Sequence, residues 1–200
     1  MLLFLILLDL FGILVIVFLI FKGMKCITIS DIIEWSDRRN IIRNNFHKKG
    51  LDICVEYPAI FRSSKVLRDF IVDMADFFHF KSTWKSRLTL IADELNNNSI
   101  EYWSKEGEIN KMIIKTVIKW DKVEVCLEVE DTGNGSKAKT ANDMESLRDK
   151  KKDSNFKNHN SIRGRGLFMI ISRLVDELYF KDTSNGWLIV WVRKKIEIEK

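Results

Sequence analysis

The chain of 200 residues opens on an almost uninterrupted apolar run, and this run restricts its folding more than any other feature. Nineteen of residues 1–21 are Met, Leu, Ile, Val or Phe, and the exceptions are Asp9 and Gly12. As a helix, 21 residues at about 1.5 Å each would cover roughly 31 Å, close to the thickness of a bilayer's hydrocarbon core. Residues 1–21 are therefore predicted to form a single transmembrane helix.

The sequence around this run favours a membrane anchor over a cleavable signal peptide. No basic residue precedes the run, it exceeds the usual length of about 7 to 15 apolar residues, and no small-x-small cleavage site follows it. Lys22, Lys25, Arg38 and Arg39 come after it. Because basic residues mark the cytoplasmic side, we expect a single-pass protein of the inner (cytoplasmic) membrane with the rest of the chain in the cytoplasm.

Asp9, near the middle of the predicted span, has two explanations. A carboxylate at the centre of a membrane helix costs about 2.5 to 3.5 kcal/mol on insertion scales. Either the surrounding Leu and Ile residues offset this cost, or Asp9 contacts a polar group of another membrane helix. The sequence leaves both open.

The composition beyond the span is that of a folded domain. Hydrophobic residues make up 46% and charged residues 30% of the chain, which excludes a disordered chain, a collagen-like repeat and a multi-pass membrane protein. Leaving out Asp9, 33 basic and 27 acidic residues give a net charge of +6. This mild excess suits either anionic headgroups or an ordinary solvated surface. Nothing resembles the aromatic and basic pattern of nucleic-acid-binding sheets, so no nucleic acid is expected as a partner.

Three cysteines, Cys26, Cys54 and Cys126, are scattered widely along the chain. Their spacing fits neither a metal site nor a disulfide framework, and the predicted cytoplasm is reducing. We expect them to be small apolar packing residues.

The first half of the soluble part reads as a connector followed by a strand and two helices. Residues 22–50 are predicted to be a juxtamembrane connector with a short amphipathic helix around Ile32 to Ile42. Strand character covers Leu51 to Tyr57. Apolar residues at spacings of three and four then predict a helix that starts near Ser64 and ends near Phe80, and a second helix that starts near Ser82.

The second helix contains an unusual asparagine. Its apolar stripe runs through Trp84, Leu88, Ile91 and Leu95, and the next place on the stripe is Asn98. Glu94 lies one helical turn before Asn98. An unpaired buried amide or charge costs several kcal/mol, so these two polar residues indicate an open site on this face.

The second half begins with two strands, at residues 112–120 and 123–130. Apolar and polar residues alternate in the second of them, and the alternation puts Asp131 in the buried phase. The sequence Thr132-Gly133-Asn134-Gly135 follows, and its glycines allow a sharp turn and a close backbone approach to a ligand. An inward carboxylate at the end of a strand is a second candidate site residue.

Residues 136–163 form a long basic stretch. The pattern of a helix or strand is found there only near Met144, where a short helix is predicted. A loop of this length in a compact domain is typically a functional lid or a disordered insert. Gly164-Arg165-Gly166 then opens a predicted helix, where bare backbone N–H groups could hold phosphate. A hairpin with strands at 178–181 and 187–193 completes the pattern.

Together these motifs resemble the N box and the two glycine boxes of the GHKL ATPase superfamily, which has the Bergerat fold. The resemblance rests on Glu94 and Asn98, on Asp131 to Gly135, and on Gly164 to Leu167, in that order. It is closest to the anti-sigma-factor serine/threonine kinases and covers about residues 51–195, leaving 196–200 as a tail. It implies an α+β fold, a two-layer sandwich of a mixed, mostly antiparallel sheet with helices on one face, and an ATP lid at 136–163.

The resemblance also implies a role for each motif residue, with ATP and Mg²⁺ as cofactors. Asn98 would hold Mg²⁺, which bridges the triphosphate oxygens, and Glu94 would be the general base. Asp131 would accept a hydrogen bond from the adenine amino group, and Gly133 and Gly135 would make room for the purine.

The second glycine box would bind the phosphates. Gly164, Arg165 and Gly166, followed by Leu167, would cradle them with backbone N–H groups, and the lysines of the lid would compensate their charge. Trp187 departs from the family pattern because it stands where a threonine is common, a change that bears on the hydrogen bonding around Asp131.

The resemblance implies partners and leaves alternatives open. The expected function is a membrane-anchored kinase that phosphorylates Ser or Thr on a small regulatory protein resembling an anti-sigma-factor antagonist, with a sigma factor as a further partner. Related kinases often form homodimers, and a tether would favour dimers. The alternatives are a nucleotide-gated binding switch without phosphotransfer and an ATP-independent membrane scaffold.

Overall fold

The structure is a computed structural model that describes residues 26–153 and 174–197. The predicted span at 1–21 and the second glycine box, Gly164 to Leu167, lie outside the described residues. Within the two described ranges, no helix has both the length and the apolar character needed to cross a membrane.

A mixed β-sheet forms one layer of the domain. The described strands are β1 (Ile27–Thr28), β2 (Phe46–His47), β3 (Gly50–Pro58), β4 (Ile109–Lys119), β5 (Lys122–Glu130), β6 (Glu177–Asp182) and β7 (Leu188–Glu197). Their order is β1-β3-β4-β5-β7-β6, with β2 paired to β3 at its start. Only β1 and β3 are parallel among the described pairs, so the mostly antiparallel α+β sheet predicted from the sequence is confirmed.

Four α-helices accompany the described strands. They are α1 (Trp35–Asn45), α2 (Phe61–Phe77), α3 (Ser82–Asn98) and α4 (Ala141–Asp153); a 3₁₀ turn at Ile29–Ile32 precedes α1, and a π-helical turn at Ser99–Trp103 continues α3. The predicted helices near 64–80 and 82 onward correspond to α2 and α3. The predicted strands and the closing hairpin are also present, with ends that differ by no more than four residues.

One hydrophobic core joins the sheet to the helices. Val123, Val125, Leu127 and Val129 of β5 are buried while their neighbours along the strand are mostly half-exposed. The apolar faces of α2 and α3 pack in the same core. The period-two alternation in β5 and the three-and-four spacing in α2 and α3 therefore mark the two sides of a single interface.

The predicted connector, residues 22–50, is part of the fold from Cys26 onward. Ile32 and Ile42 lie in the hydrophobic core, and Arg38 forms a buried ion pair with Asp73 of α2. β1 pairs with the outer edge of β3 through Ile27 and Val55. This packing could not be predicted from a pattern, because β1 has only two residues and cannot show an alternation.

The cysteines correct another expectation. Cys26 and Cys54 form a disulfide across a separation of 28 residues, with Cα atoms 4.5 Å apart, and only Cys126 among the described cysteines is free. The pairing of Ile27 with Val55 brings the two preceding cysteines together. Cys26 and Cys54 are therefore a bonded pair and not independent packing residues.

The first half of the predicted lid contains a helix longer than expected. α4 covers Ala141–Asp153, and Met144 on it is buried. Thr140 and Asp143 hydrogen bond reciprocally at its start, and the N–H of Ala141 donates to Asp182 at 2.7 Å. End capping and this contact with β6 stabilise a helix whose sequence has few apolar residues.

Candidate functional site

Asp131 lies at the end of β5 in the buried phase that the alternation predicts. Its side chain is buried, with the residue only 1% exposed. Its Oδ1 atom accepts hydrogen bonds from the N–H of Gly133 at 2.7 Å and from the N–H of Leu188 at 3.3 Å. Its Oδ2 atom is buried and has no hydrogen-bond partner among the described residues. A buried acceptor without a partner is costly, so Oδ2 is suited to a donor supplied by a ligand.

Burial dominates the electrostatics of this carboxyl group. It raises the pKa of Asp131 from 3.8 to about 7, against the lowering effect of the two backbone hydrogen bonds from Gly133 and Leu188. Glu130 and Asp182 add smaller repulsive contributions that also raise the pKa. Ionised Asp131 is therefore an unfavourable state of the ligand-free fold, and a donor at Oδ2 would relieve it.

We predict that the contribution of Asp131 to the free energy of unfolding of the ligand-free protein decreases as the pH rises from about 4 to about 7. The pKa of Asp131 is raised in the folded state to about 7. The folded state therefore retains a proton that the unfolded state releases near pH 4, and this stabilisation is lost as the pH rises through the folded pKa. The lost stabilisation is at most about 4 kcal/mol. Urea unfolding over this range, compared with Asp131→Asn, isolates the contribution, and parallel curves for the two proteins would contradict it.

The two glycines after Asp131 permit close backbone packing. Gly133 has φ +67°, and a Cβ atom there would lie 2.6 Å from the carbonyl oxygen of Gly186. At Gly135 a Cβ atom would lie 2.3 Å from the carbonyl oxygen of Tyr102. The N–H of Gly135 donates to the carbonyl of Trp103 at 2.9 Å. Gly133 thus packs this loop against the turn between β6 and β7, and Gly135 packs it against the π-helical turn that follows α3. Their expected role in making room for a purine remains a prediction.

Glu94 and Asn98 lie one turn apart near the end of α3, as the sequence indicates. Both are half-buried, and Nδ2 of Asn98 donates to Oε1 of Glu94 at 3.4 Å. The fully buried asparagine of this helix is Asn96, which is 1% exposed and accepts from the Tyr57 hydroxyl at 2.8 Å. Asn98 therefore lies at the margin of the core, where its side chain can serve a ligand.

A buried polar network connects the end of α3 to the loop after Asp131. Ser99 follows Asn98 directly and accepts from the Asn110 amide at 3.1 Å. Ser104 donates to Asn110 at 2.6 Å and accepts from the N–H of Thr132 at 3.2 Å. The network brings the segment that carries Glu94 and Asn98 next to the segment that carries Asp131.

Glu108, directly ahead of β4, contacts this loop and is a site residue that the sequence did not reveal. It accepts hydrogen bonds from the hydroxyl of Thr132, from the side chain of Asn134 at 3.0 Å and from the N–H of Lys105 at 2.9 Å. These bonds, with the one from Thr132 first, lower the pKa of Glu108 below its usual value. Glu108 thus holds the glycine-containing loop in place as an ionised acceptor; a single acid ahead of β4 gave no signal of this role.

The donor set fits Mg²⁺ that arrives with a phosphate ligand. Among residues 26–153 and 174–197, no group of three or more His, Cys, Asp or Glu side chains could hold a metal. Mg²⁺ commonly takes one or two protein oxygens and completes its shell with phosphate oxygens and water. The amide oxygen of Asn98 can supply one such ligand, while the predicted phosphate cradle at Gly164, Arg165, Gly166 and Leu167 lies outside the described residues.

Comparison with known protein families assigns the domain. The sequence profile of the histidine kinase-like ATPase domain matches residues 58–194, which is more than half of the chain. A search of curated proteins found no match. The matched range contains α3 with Glu94 and Asn98, the strand and loop around Asp131, and the closing hairpin. The chain therefore belongs to the histidine kinase-like ATPase family, whose domains bind ATP.

Proposed function

We propose that this protein is a membrane-anchored serine/threonine kinase of the anti-sigma-factor type that phosphorylates a small regulatory protein. The observation that carries the proposal is the contact of Asn98 with Glu94, one turn apart on α3 and linked through the Ser99 network to the loop after Asp131. A domain that only bound ATP could dispense with a carboxylate at that place. Membership of the family supports ATP binding, and this arrangement supports transfer.

Each residue has a separate task in the proposed reaction. Oδ2 of Asp131 would accept from the adenine amino group and so satisfy its missing hydrogen bond. Asn98 would hold Mg²⁺, which neutralises charge on the triphosphate. Glu94 would accept the proton of a Ser or Thr hydroxyl; the oxygen then bonds to the γ-phosphorus as the bond to the β,γ-bridging oxygen breaks, and ADP leaves.

The histidines support a hydroxyl acceptor on a partner over a phosphohistidine in this chain. A phosphoacceptor histidine would be expected on a dimerisation helix. His47 lies instead in the two-residue strand β2, and His79 lies in the turn between α2 and α3 with φ 55°. His159, the third, is outside the described residues.

The proposed location is the cytoplasmic face of the inner membrane. It is supported by the apolar residues 1–21, by Lys22 and Lys25 after them, and by the presence of ATP on that side. Arg38 is one of the basic residues after the span that are predicted to mark the cytoplasmic side. In the folded domain it forms an ion pair with Asp73. In a reducing cytoplasm the disulfide between Cys26 and Cys54 would be reduced to two adjacent thiols.

The proposed substrate is a small protein that resembles an anti-sigma-factor antagonist, and a sigma factor is the proposed second partner. A tether confines molecules to a plane and so raises their effective concentration, which favours a homodimer. It also separates the kinase from soluble factors.

Incubation of the full chain with γ-labelled ATP, Mg²⁺ and candidate antagonist-domain proteins should transfer label to a Ser or Thr of one of them. The label should be stable to acid, unlike that of a phosphohistidine, because neither His47 nor His79 occupies an acceptor setting. Mass spectrometry locates the modified residue. ATP binding without transfer to any partner would contradict the kinase proposal while leaving the family assignment intact.

A nucleotide-gated binding switch is the second candidate. The first half of the predicted lid is folded as α4 and docked on β6, through Ala141 to Asp182 and through Arg148 to the carbonyl of Leu178 at 3.4 Å. A helix held on the sheet edge beside the nucleotide-binding loop could present a surface to a partner. In that case, partner binding would depend on ATP and no phosphate would be transferred.

A further inference from the structure

The fold has two opposite ends, and the nucleotide-binding residues occupy only one of them. Asp131 follows the last residue of β5, at the end of the sheet where β3 finishes and β4 begins. The turn between β4 and β5 lies at the other end, with Trp120 at its tip. The nine residues of β5 separate the two ends by roughly 27 Å.

Trp120 is exposed in a way that indole side chains rarely are. Its side chain is fully exposed, at 100%, and its backbone has φ 56° in the tight turn. The pairing of Lys119 with Lys122 closes the hairpin on both sides of it. Indole rings are enriched at the membrane–water interface, where an apolar body and a polar N–H are both accommodated.

Lysines surround this tip, and two of them are without a counter-charge. Lys48 and Lys49 are exposed and have no ion pair among the described residues. The N–H of Ile118 donates to the carbonyl of Lys49 at 2.9 Å, so these lysines lie beside the hairpin. Lys119 and Lys122 pair with acids of neighbouring strands, and Asp121 offsets one further charge. Lys48 and Lys49 remain available to anionic headgroups.

The path of the chain places the predicted anchor at the same end. β1 runs parallel to β3, so its beginning points toward Gly50 and away from Asp131. The distance along β3 from Cys54 to Gly50 is four residues, about 13 Å. From Phe21 to Cys26 there are five residue steps, which reach at most about 18 Å. Cys54 is the middle residue of β3, so a linker of this length reaches either end of the strand. The direction in which β1 begins is what points the anchor toward Gly50 and the Trp120 end.

We propose that the end of the sheet formed by Trp120, Lys48 and Lys49 docks on the anionic surface of the membrane that holds the anchor. This inference rests on the proposed membrane anchor. Docking holds the Asp131 end roughly 27 Å from the bilayer and open to soluble partners. The tether and the hairpin together then fix the orientation of the domain as well as its location.

The test uses the full chain reconstituted into vesicles that contain phosphatidylserine and a lipid with a quencher near its headgroup. Tryptophan fluorescence is compared for the wild type, Trp120→Phe and Trp35→Phe. Trp35 is the matched control because it is also exposed, at 56%, and it lies at the start of α1, beyond β1 on the Asp131 side. We expect Trp120→Phe to remove about half or more of the quenching and Trp35→Phe to leave it nearly unchanged.

A charge variant tests the lysines independently. Lys48→Glu combined with Lys49→Glu should reduce quenching at least twofold, as should replacing phosphatidylserine with phosphatidylcholine. Arg62→Glu combined with Lys65→Glu, two exposed bases at the start of α2, should not.

Alkaline extraction of the same vesicles separates the two proposals. If the chain resists extraction but the fluorescence of Trp120→Phe is quenched as much as that of the wild type, docking is refuted and the anchor stands. If the chain is extracted, the anchor fails and the docking inference fails with it.

Discussion

Replacement of Asp131 by asparagine should reduce the affinity for ATP by on the order of 100-fold while leaving the protein folded. The Oδ1 atom already accepts from Gly133 and Leu188, so the asparagine nitrogen must either face the adenine amino group or face these two N–H groups. In either orientation the asparagine NH₂ group faces another hydrogen-bond donor. The hydrogen bond to a charged acceptor that is lost corresponds to about 3 kcal/mol. Titration calorimetry with Mg-ATP measures the change.

A matched variant shows whether the loss is specific to this side chain. Glu130→Gln makes the same chemical change one residue earlier, on a half-exposed side chain of β5. It should change the affinity by no more than about threefold, because the neighbouring charge acts on Asp131 only at a distance. The Asp131→Asn protein should also lack the thermal stabilisation by Mg-ATP that the wild type shows. Equal binding by wild type and Asp131→Asn would show that the adenine site lies elsewhere.

The strand pattern predicted the position of Asp131 because the side-chain period of a strand is strict. Val123, Val125, Leu127 and Val129 fix the buried face of β5, and the same phase reaches Asp131. The unpartnered Oδ2 atom could not be predicted, because the N–H groups that satisfy Oδ1 come partly from Leu188, which is 57 residues away.

The helix pattern predicted that Glu94 and Asn98 lie one turn apart on α3, but it placed the wrong asparagine in the core. The apolar stripe suggested that Asn98 takes a core place, whereas Asn96 is the buried residue and Asn98 is half-buried. Asn96 can be buried because Tyr57 of β3 supplies a hydroxyl donor. Spacing along a helix gives no information about a donor 39 residues away, so burial of a polar residue depends on tertiary contacts that the pattern does not contain.

The helices predicted around Ile32 to Ile42 and near Met144 are present, but the packing of the connector and the full length of the lid helix were missed, for a different reason. Their contacts are made by isolated residues, such as Arg38 with Asp73 and Ala141 with Asp182, which show no periodicity. The same holds for Cys26 and Cys54, whose pairing depends on the register of the two-residue strand β1. Short pairings and end contacts stabilise these segments, and sequence patterns detect them poorly.

Replacement of Glu94 by glutamine should lower the rate of phosphoryl transfer by about 10²- to 10⁴-fold and leave ATP affinity within about threefold of the wild type. Glutamine keeps an acceptor oxygen for the Asn98 amide, so the end of α3 should be undisturbed. It cannot take up the proton of the attacking hydroxyl, so only the chemical step is affected. Single-turnover transfer of labelled phosphate, measured beside ATP binding, separates the two effects.

The same variant decides between the kinase and the switch. Glu101→Gln, on an exposed side chain of the π-helical turn only seven residues later, is the control and should transfer at the wild-type rate. If Glu94→Gln abolishes transfer but the ATP-dependent partner complex still forms, Glu94 acts in the chemistry and the kinase proposal is supported. If wild type and Glu94→Gln form the same complex and neither transfers phosphate, the carboxylate has no catalytic task. ATP would then act by closing a binding surface, and the contact of Glu94 with Asn98 would serve only to position the metal ligand.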